Sequence, residues 1–260
     1  MKRILKPMLT PLYLIMVLIC FIACSKSGSV SISEASAFVQ ACKDGDYGYV
    51  EKMLKLNRAF TEAKNARGET GLMHAAGAGH KDIVSILIKK GVYINTRDKD
   101  GYTALIWAAD ADNIDIMELL IKKGADINVL YDYSDSISLL MWAVREEHKD
   151  IVSILLKKGI YINTRDKDGY TALAWAADAD NIDIMELLIK KGADINMLYD
   201  GRTILIVAAI YEKKEMAELM IRNGADVNVK DNYGRTALDY ATARGHKDIV
   251  DLLIKNGAEQ

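Results

Sequence analysis

Asp98 to Asn128 reads DKDGYTALIWAADADNIDIMELLIKKGADIN, and this stretch decides the fold. It returns at Asp166 to Asn196 with a single change, Ala174 in place of Ile106. Looser copies recur roughly every 33 residues along most of the chain, which is the period of a repeat array. The sequence therefore predicts a stack of similar units, each contributing to a core that its neighbours complete.

Each unit follows the same order of local signals. An Asp-x-x-Gly turn leads to Thr103, which can cap a short helix of small apolar residues ending near Ala109. A polar break follows, and Ile114 to Lys122 then place apolar side chains at helical spacing. Gly124 stands just beyond this second helix, where glycine commonly ends helices. One such pair of helices cannot bury its apolar faces alone, so the units are expected to stack.

These residues resemble the ankyrin repeat in the form G-x-T-x-L-x-x-A-A, an apolar second helix and G-A-D-x-N, and the resemblance covers residues 33–260. It implies an all-α fold, an ankyrin-repeat solenoid of about seven helix-turn-helix units with β-hairpin-like tips. Where the family has Thr-Pro-Leu-His, this chain has Thr103-Ala104-Leu105-Ile106. The predicted repeats are 33–65, 66–97, 98–130, 131–165, 166–198, 199–230 and 231–260. The fourth opens irregularly at Tyr131 to Ser136, and the sixth is short by about one residue.

The first 23 residues have the pattern of a signal peptide. Lys2, Arg3 and Lys6 precede an apolar stretch, Met8 to Ile22, which is shorter than the ~20 residues that a spanning helix needs. The following residues, Phe21-Ile22-Ala23-Cys24-Ser25, resemble a bacterial lipobox, with Phe21 in place of the usual Leu. The resemblance implies lipidation of Cys24, and the Ser/Gly-rich residues 24–32 are expected to form a flexible tether.

Lipidation of Cys24 would hold the chain at a membrane, because each buried methylene contributes about 0.8 kcal/mol and more than one acyl chain gives stable anchoring. Two alternatives are an uncleaved N-terminal anchor and ordinary secretory cleavage. Ser25 is not the Asp that retains many Gram-negative lipoproteins at the inner membrane. The expected location is therefore the bacterial cell envelope, with the outer membrane favoured and the periplasmic or surface face left open.

Charge and cysteine content exclude two classes of protein. The formal net charge is -2, and removing Lys2, Arg3 and Lys6 with the leader would take it to -5, so no basic footprint for nucleic acid is expected. The chain has three cysteines. Cys20 lies in the leader and Cys24 is the lipidation site, which leaves Cys42 without a partner and predicts no disulfide framework. Cys42 is expected to be a small buried residue.

No motif predicts catalysis, a cofactor or a metal site. The sequence has no G-x-S-x-G, Cys-x-x-Cys, P-loop or G-x-G-x-x-G. His80, His148 and His246 occupy equivalent places in their units, so stacking keeps them apart. The run Asp98 to Gly101 lacks the remaining ligands of a calcium loop. Trp107, Trp142 and Trp175 are also equivalent, which favours a packing role, and His74 takes their place in the second repeat.

In the ankyrin family, partners bind the hairpin tips and the exposed end of the first helix. Ile210 and Tyr211 replace the polar pair Asp178-Ala179 at this end, so we expect them to form an exposed apolar pair. The hypothesis is a binding strip running from Tyr133 to Tyr211, rich in the residue types that dominate protein interfaces. The candidate residues are Tyr102, Tyr133, Arg145, Tyr170, Tyr199, Arg202, Ile210, Tyr211, Tyr233 and Arg235.

Two functions follow from these observations. The first is a lipid-anchored scaffold that binds an unknown protein partner through the concave surface of the repeats. The alternative is a small-ligand binder or enzyme with a site at the irregular fourth repeat, supported only by the opening at Tyr131 to Ser136. The first is preferred because a ligand pocket needs convergent polar groups, which the motif search does not find.

Overall fold

The computed structural model describes residues 29–129 and 136–259, and within them it contains seven pairs of α-helices. The predicted leader and Cys24 lie outside the described residues. A 3-10 helix, Arg58–Glu62, follows the first pair. The first helices are Ile32–Asp44, Gly71–Gly77, Ala104–Asp110, Leu139–Arg145, Ala172–Asp178, Ile204–Ile210 and Ala237–Arg244. The second helices are Tyr47–Leu56, Lys81–Lys89, Ile114–Lys122, Lys149–Lys157, Ile182–Lys190, Lys214–Arg222 and Lys247–Lys255.

The all-α repeat fold predicted from the sequence is confirmed. No strand forms in the described part of the chain, and the tips contribute only isolated bridges, Lys64 with Thr70 and Tyr199 with Arg202. The first helix begins at Ile32, one residue before the predicted start of repeat one, because Ser31 caps it and exchanges hydrogen bonds with Glu34.

The described residues divide into two compact units. The first contains residues 29–99 and 103–124, and the second contains residues 100–102, 125–129 and 136–259. In the first unit, the first helix of repeat two packs against the first helices of repeats one and three. In the second unit, the first helix of repeat six packs against that of repeat seven. None of the described helices is long and apolar enough to cross a membrane.

Small residues let the first helices approach each other closely. Ala75 and Ala76 of repeat two, like Ala108 and Ala109 of repeat three, are fully buried. The second helices cover this layer with larger side chains such as Met117, which is also fully buried. Within each unit, the apolar face of a helix pair is thus covered by an adjacent pair, as the repeat period predicts.

Hydroxyl side chains cap most of the first helices. The Thr171 Oγ1 accepts a hydrogen bond from the Ala174 amide at 3.2 Å, and Ser138 does the same for Met141. Thr103 is the exception: its Oγ1 is buried and has no hydrogen-bond partner among the described residues. The two near-identical copies therefore differ at this cap, although the residue is the same.

Several second helices are preceded by a side chain that reaches back to the preceding repeat. The Asn113 Nδ2 donates to the carbonyl oxygen of Ala76 at 2.9 Å. The His80 Nε2 lies 3.0 Å from the Lys43 carbonyl oxygen, and His246 occupies the equivalent place in repeat seven. These contacts give His80 and His246 the structural role predicted for the repeated histidines, and the His148 ring stacks 5.2 Å from that of Trp142 in its own repeat.

The asparagine of the G-A-D-x-N motif makes a second kind of link. The Asn95 Nδ2 donates to the Gly124 carbonyl oxygen at 3.1 Å, and Asn228 does the same to Gly257. The Oδ1 of Asn163 accepts from the Asp194 amide at 2.9 Å. Because each bond joins consecutive repeats, the loops are held in the same register as the helices.

Gly71 departs from the repeat pattern for a steric reason. The equivalent position holds Ala104 in repeat three and Ala172 in repeat five. A Cβ atom at Gly71 would lie 2.7 Å from the Cys42 Sγ and 3.0 Å from the Phe38 Cε1, both of them buried. Real Cβ atoms do not approach other atoms so closely, so the larger side chains of the first repeat leave room only for glycine.

We predict that Gly71→Ala, although it restores the repeat consensus, destabilises the chain by about 1–2 kcal/mol because overpacking outweighs the gain in helix propensity. The cost should be smaller in a Cys42→Ala background, where the nearest atom is removed. Urea unfolding of the full chain in nonionic detergent, followed by circular dichroism, measures the cost of Gly71→Ala in both backgrounds. An equal cost in the two backgrounds would contradict the steric explanation.

Candidate protein-interaction surface

An aspartate at the base of the tip holds the loop in shape in repeats five and seven. The Asp166 Oδ1 accepts hydrogen bonds from the backbone amides of Asp168 at 3.0 Å and Tyr170 at 2.8 Å. Its Oδ2 accepts from the Trp175 Nε1 at 3.0 Å. The same carboxylate thus orders the turn and ties it to the first helix that follows, so the tip is fixed before any partner binds.

The tip of repeat seven repeats this arrangement with a tyrosine. The Tyr240 hydroxyl donates to the Asp231 Oδ2 at 2.6 Å, and the amides of Tyr233 and Arg235 donate to the Oδ1. Burial alone would raise the pKa of Asp231, but these hydrogen bonds outweigh it and hold that pKa below its usual value. Asp231 therefore stays ionised and acts as a structural anchor of the loop.

Repeat six has a different tip. Tyr199 and Arg202 exchange backbone hydrogen bonds of 2.9 and 3.0 Å around Asp200 and Gly201, whose φ values are 47° and 74°. Two consecutive positive φ angles are typical of a type I′ turn, for which Asp-Gly is a preferred pair. The loop is one residue shorter than in repeat five, as the sequence predicts, and Tyr199 takes the place of the anchoring Asp166.

Tyr199 packs back onto repeat five. Its ring centroid lies 4.9 Å from that of Tyr170, edge to face, and its hydroxyl lies 3.5 Å from the Asp178 Oδ1. Tyr170 in turn lies 5.4 Å from Trp175. Burial and the charge of Asp178 raise the pKa of Tyr199 far above its usual value, so its hydroxyl remains a proton donor. The three rings and one carboxylate form a fixed cluster.

The expected exposure of two candidate residues is wrong. Tyr199 is 5% exposed and Ile210 is 7% exposed. Tyr199 is buried because its ring covers Tyr170 and Asp178, as described above. Ile210 ends a helix that packs against the first helix of repeat seven, and an apolar side chain gains free energy by leaving water there.

Other candidates are exposed as predicted. Tyr211 is 66% exposed and Tyr233 is 73% exposed. The Arg235 guanidinium lies over the rings of Tyr233 and Tyr240, 5.1 and 4.7 Å from their centroids. It is therefore held by stacking, with its charge near the surface.

The remaining candidates are scattered. Arg145 is exposed and pairs with Glu146 at 3.1 Å, and Tyr102 and Tyr170 are partly buried. Tyr133 lies outside the described residues, and so does the opening of repeat four except Ser136. The alternative ligand site predicted there stays untested.

A polar cavity of about 500 Å³ opens between the tips of repeats five, six and seven. It brings together three candidates, Tyr199, Arg202 and Tyr233. The Arg202 Nη1 lies 3.5 Å from the Asp200 Oδ2, whereas its Nε is buried without a partner among the described residues. The full lining is Arg165, Asp168, Gly169, Leu198, Tyr199, Asp200, Gly201, Arg202, Asn232 and Tyr233.

The described residues contain no cluster of three or more His, Cys, Asp or Glu side chains that could hold a metal. Cys42 is fully buried, and burial raises the pKa of its thiol to about 12. A thiol with that pKa is protonated at neutral pH and is a poor nucleophile. His74 lies 2.8 Å from Glu69 and its ring packs 4.9 Å from Trp107, which confirms the packing role predicted for it.

Sequence reasoning left two residues of this surface out of the candidate list, although it placed Asp178 at the exposed end of a first helix. Asp178 is bonded to Tyr199, and the Arg165 guanidinium lines the cavity. Asp178 has an identical counterpart, Asp110, in repeat three, so its own residue type carries no signal. The available signal was the tyrosine at position 199, where repeats three, five and seven have Asp98, Asp166 and Asp231.

A family model described as ankyrin repeats (3 copies) matches residues 38–131, 130–199 and 195–260. Among curated proteins, the ankyrin repeat and KH domain-containing protein mask of Drosophila melanogaster is 33% identical over 76 residues. That match covers 26% of this chain and only 2% of the fly protein.

Solved structures give the same result. An ankyrin repeat domain from Acinetobacter baumannii AYE superposes with a TM-score of 0.65 at 29% identity, covering 72% of this chain and 98% of that one. The human ASB11 ankyrin repeat domain superposes with a TM-score of 0.63 at 20% identity, covering 86% and 98%, and supports the fold alone. On these matches and on the seven helix pairs of the described residues, the chain belongs to the ankyrin-repeat family.

Proposed function

We propose that this chain is a lipid-anchored protein-interaction scaffold of the bacterial cell envelope. Ankyrin repeats form scaffolds for protein partners, and the described residues of this chain have that architecture. The observation that carries the proposal is the surface formed by the tips and first-helix ends of repeats five to seven. There the tips are ordered by internal hydrogen bonds while Tyr211 and Tyr233 stay exposed.

A preordered surface favours binding because little conformational entropy is lost when the partner docks. The carboxylates of Asp166 and Asp231 fix two tips, and the type I′ turn at Asp200 and Gly201 fixes the third. Tyrosine adds large contact area with few rotatable bonds. We therefore assign partner contact to Tyr211, Tyr233 and Arg235, and assign Tyr199 to the support beneath them.

The anchoring part of the proposal rests on the leader. A basic n-region, a short apolar stretch and Cys24 after Ala23 are the features that support lipidation. Ser25 supports an outer-membrane destination, and the Ser/Gly-rich residues that follow would let the repeats reach a partner away from the lipid surface.

The support and contact roles predict effects of different size on the free energy of unfolding. Tyr199→Ala should lower the free energy of unfolding by about 3 kcal/mol, because it empties a buried aromatic site. Tyr211→Ala should change it by less than about 0.5 kcal/mol, since the side chain is exposed. Urea unfolding of the two variants measures the difference, and similar costs would refute this division of roles.

Lipidation should be visible by metabolic labelling. Cells expressing the full chain and fed radiolabelled palmitate should label the wild-type protein, and Cys24→Ser should abolish the label. Cleavage of the leader should fail in the same variant, which gel mobility reports. A labelled Cys24→Ser protein, or an unlabelled wild type, would reject the lipoprotein assignment.

Partner capture should depend on the tip surface. A photo-reactive phenylalanine derivative placed at Tyr211 or Tyr233 should yield a cross-linked adduct in cells. The same group at Ser153, exposed on the second helix of repeat four, is the matched control. Adducts of equal yield from Ser153 would place the interface elsewhere. Protease treatment of intact cells then separates a surface-exposed protein from a periplasmic one.

A further inference from the structure

The cluster around Tyr199 presents a mixed aromatic and acidic surface. We call the side chains of Tyr170, Asp178 and Tyr211 the tyrosine–aspartate patch. Tyr199 lies beneath it, with its ring against Tyr170 at 4.9 Å and its hydroxyl 3.5 Å from Asp178. Tyr211 follows the first helix of repeat six and is 66% exposed, and its charge also raises the pKa of Tyr199. The patch is therefore open on one side and supported on the other.

The charges that act on the Tyr170 hydroxyl are negative. Burial raises the pKa of Tyr170, and the charges of Asp178, Asp200, Asp166 and Asp168 raise it further. Asp166 accepts hydrogen bonds within its own tip, and Asp200 lies 3.5 Å from Arg202. Asp168 and Asp178 form no ion pair within the described residues, so their charges are available to a partner.

The Asp178 carboxylate is suited to a cation for a second reason. Burial against the tyrosine rings raises its pKa, an effect that the hydrogen bond from Tyr199 reduces without cancelling. A carboxylate that has lost part of its hydration gains more from an incoming cation than a fully hydrated one does. The adjacent ring faces of tyrosine attract the same kind of group.

We propose that the tyrosine–aspartate patch binds a lysine or arginine side chain of the protein partner, an inference that rests on the proposed function. The cation would lie against the exposed faces of Tyr170 and Tyr211, with the Asp178 carboxylate as its counter-ion. Tyr199 would act as a positioning residue, since its ring and hydroxyl hold Tyr170 and Asp178 in place. The polar cavity beside it has two arginines and two aspartates, so it offers no comparable charge preference.

The chain contains its own control. Tyr102, Trp107 and Asp110 of repeat three match Tyr170, Trp175 and Asp178 in the duplicated sequence. In the repeats that follow, however, Arg145-Glu146 stands where repeat six has Ile210-Tyr211. The copy thus has the same tyrosine and aspartate without the second tyrosine, and with an arginine in the following unit.

The test uses the full chain in nonionic detergent with carbon-13-labelled tyrosine rings. The probes are short acetylated and amidated Gly-Ser peptides with a single central Arg, Lys, Gln or Glu. Nuclear magnetic resonance titration follows the ring signals, which Tyr→Phe variants assign. The Arg and Lys peptides should shift the Tyr170 and Tyr211 signals saturably, less so at high salt, while the Gln and Glu peptides should not.

Asp178→Asn should lower the affinity for the Arg and Lys peptides about fivefold, and Tyr211→Ala should lower it about threefold. Asp110→Asn should leave the affinity unchanged. If the Gln peptide shifted the ring signals as much as the Arg and Lys peptides do, the proposed role of the patch would be wrong. Equal effects of Asp110→Asn and Asp178→Asn on the affinity would contradict it too.

A captured partner whose yield is unchanged by Asp178→Asn would also overturn the patch. Conversely, the expected peptide pattern without any captured partner supports the patch and counts against the proposed function alone. The two hypotheses therefore fail through different observations. Asn at position 178 retains a hydrogen-bond acceptor for Tyr199, so the variant tests charge with little change of packing.

Discussion

The structure depends on hydrogen bonds that no single repeat can make for itself. The carbonyl groups at the C-terminal end of a short first helix lack partners inside that helix. Asn113 satisfies those of Ala76 and Gly77, and His80 does the same for Lys43, in each case from the next repeat along the chain. Stacking is therefore required by the secondary structure itself, in addition to the burial of apolar side chains.

This constraint separates framework from recognition. Residues that link repeats, such as Asn95 and Asn163, recur at fixed positions because a change would leave a backbone group without a partner. Tip residues face no such demand once the anchoring aspartate is in place. Repeat six shows how far the tip can vary, since Tyr199 replaces that aspartate and a shorter turn makes up for its loss. Variation at the tips can then change the partner without changing the fold.

The periodicity of the sequence made the fold predictable. The burial of side chains at the tips and first-helix ends was harder to predict. The repeat spacing, the capping hydroxyls and the asparagine motif are local signals, and the described helices follow them except at the Thr103 cap. The exposure of Tyr199 and Ile210 depends instead on what the adjacent repeat places against them. Ile210 occupies the position that Asp178 holds in repeat five, so the same exposure was expected. An apolar side chain at that position packs onto its neighbour, however, whereas a carboxylate stays in water.

The two near-identical copies sharpen this point. Residues 98–128 and 166–196 share almost every side chain, yet Thr171 caps its helix while the Thr103 hydroxyl is buried without a partner among the described residues. Asp178 likewise accepts a hydrogen bond from Tyr199, which belongs to the following repeat. A repeat in such an array therefore has no fixed function of its own. The contacts of each surface side chain depend on both repeats that meet at it. Duplicating a pair of repeats therefore copies the packing residues, while the binding properties of the copy depend on the repeats next to it.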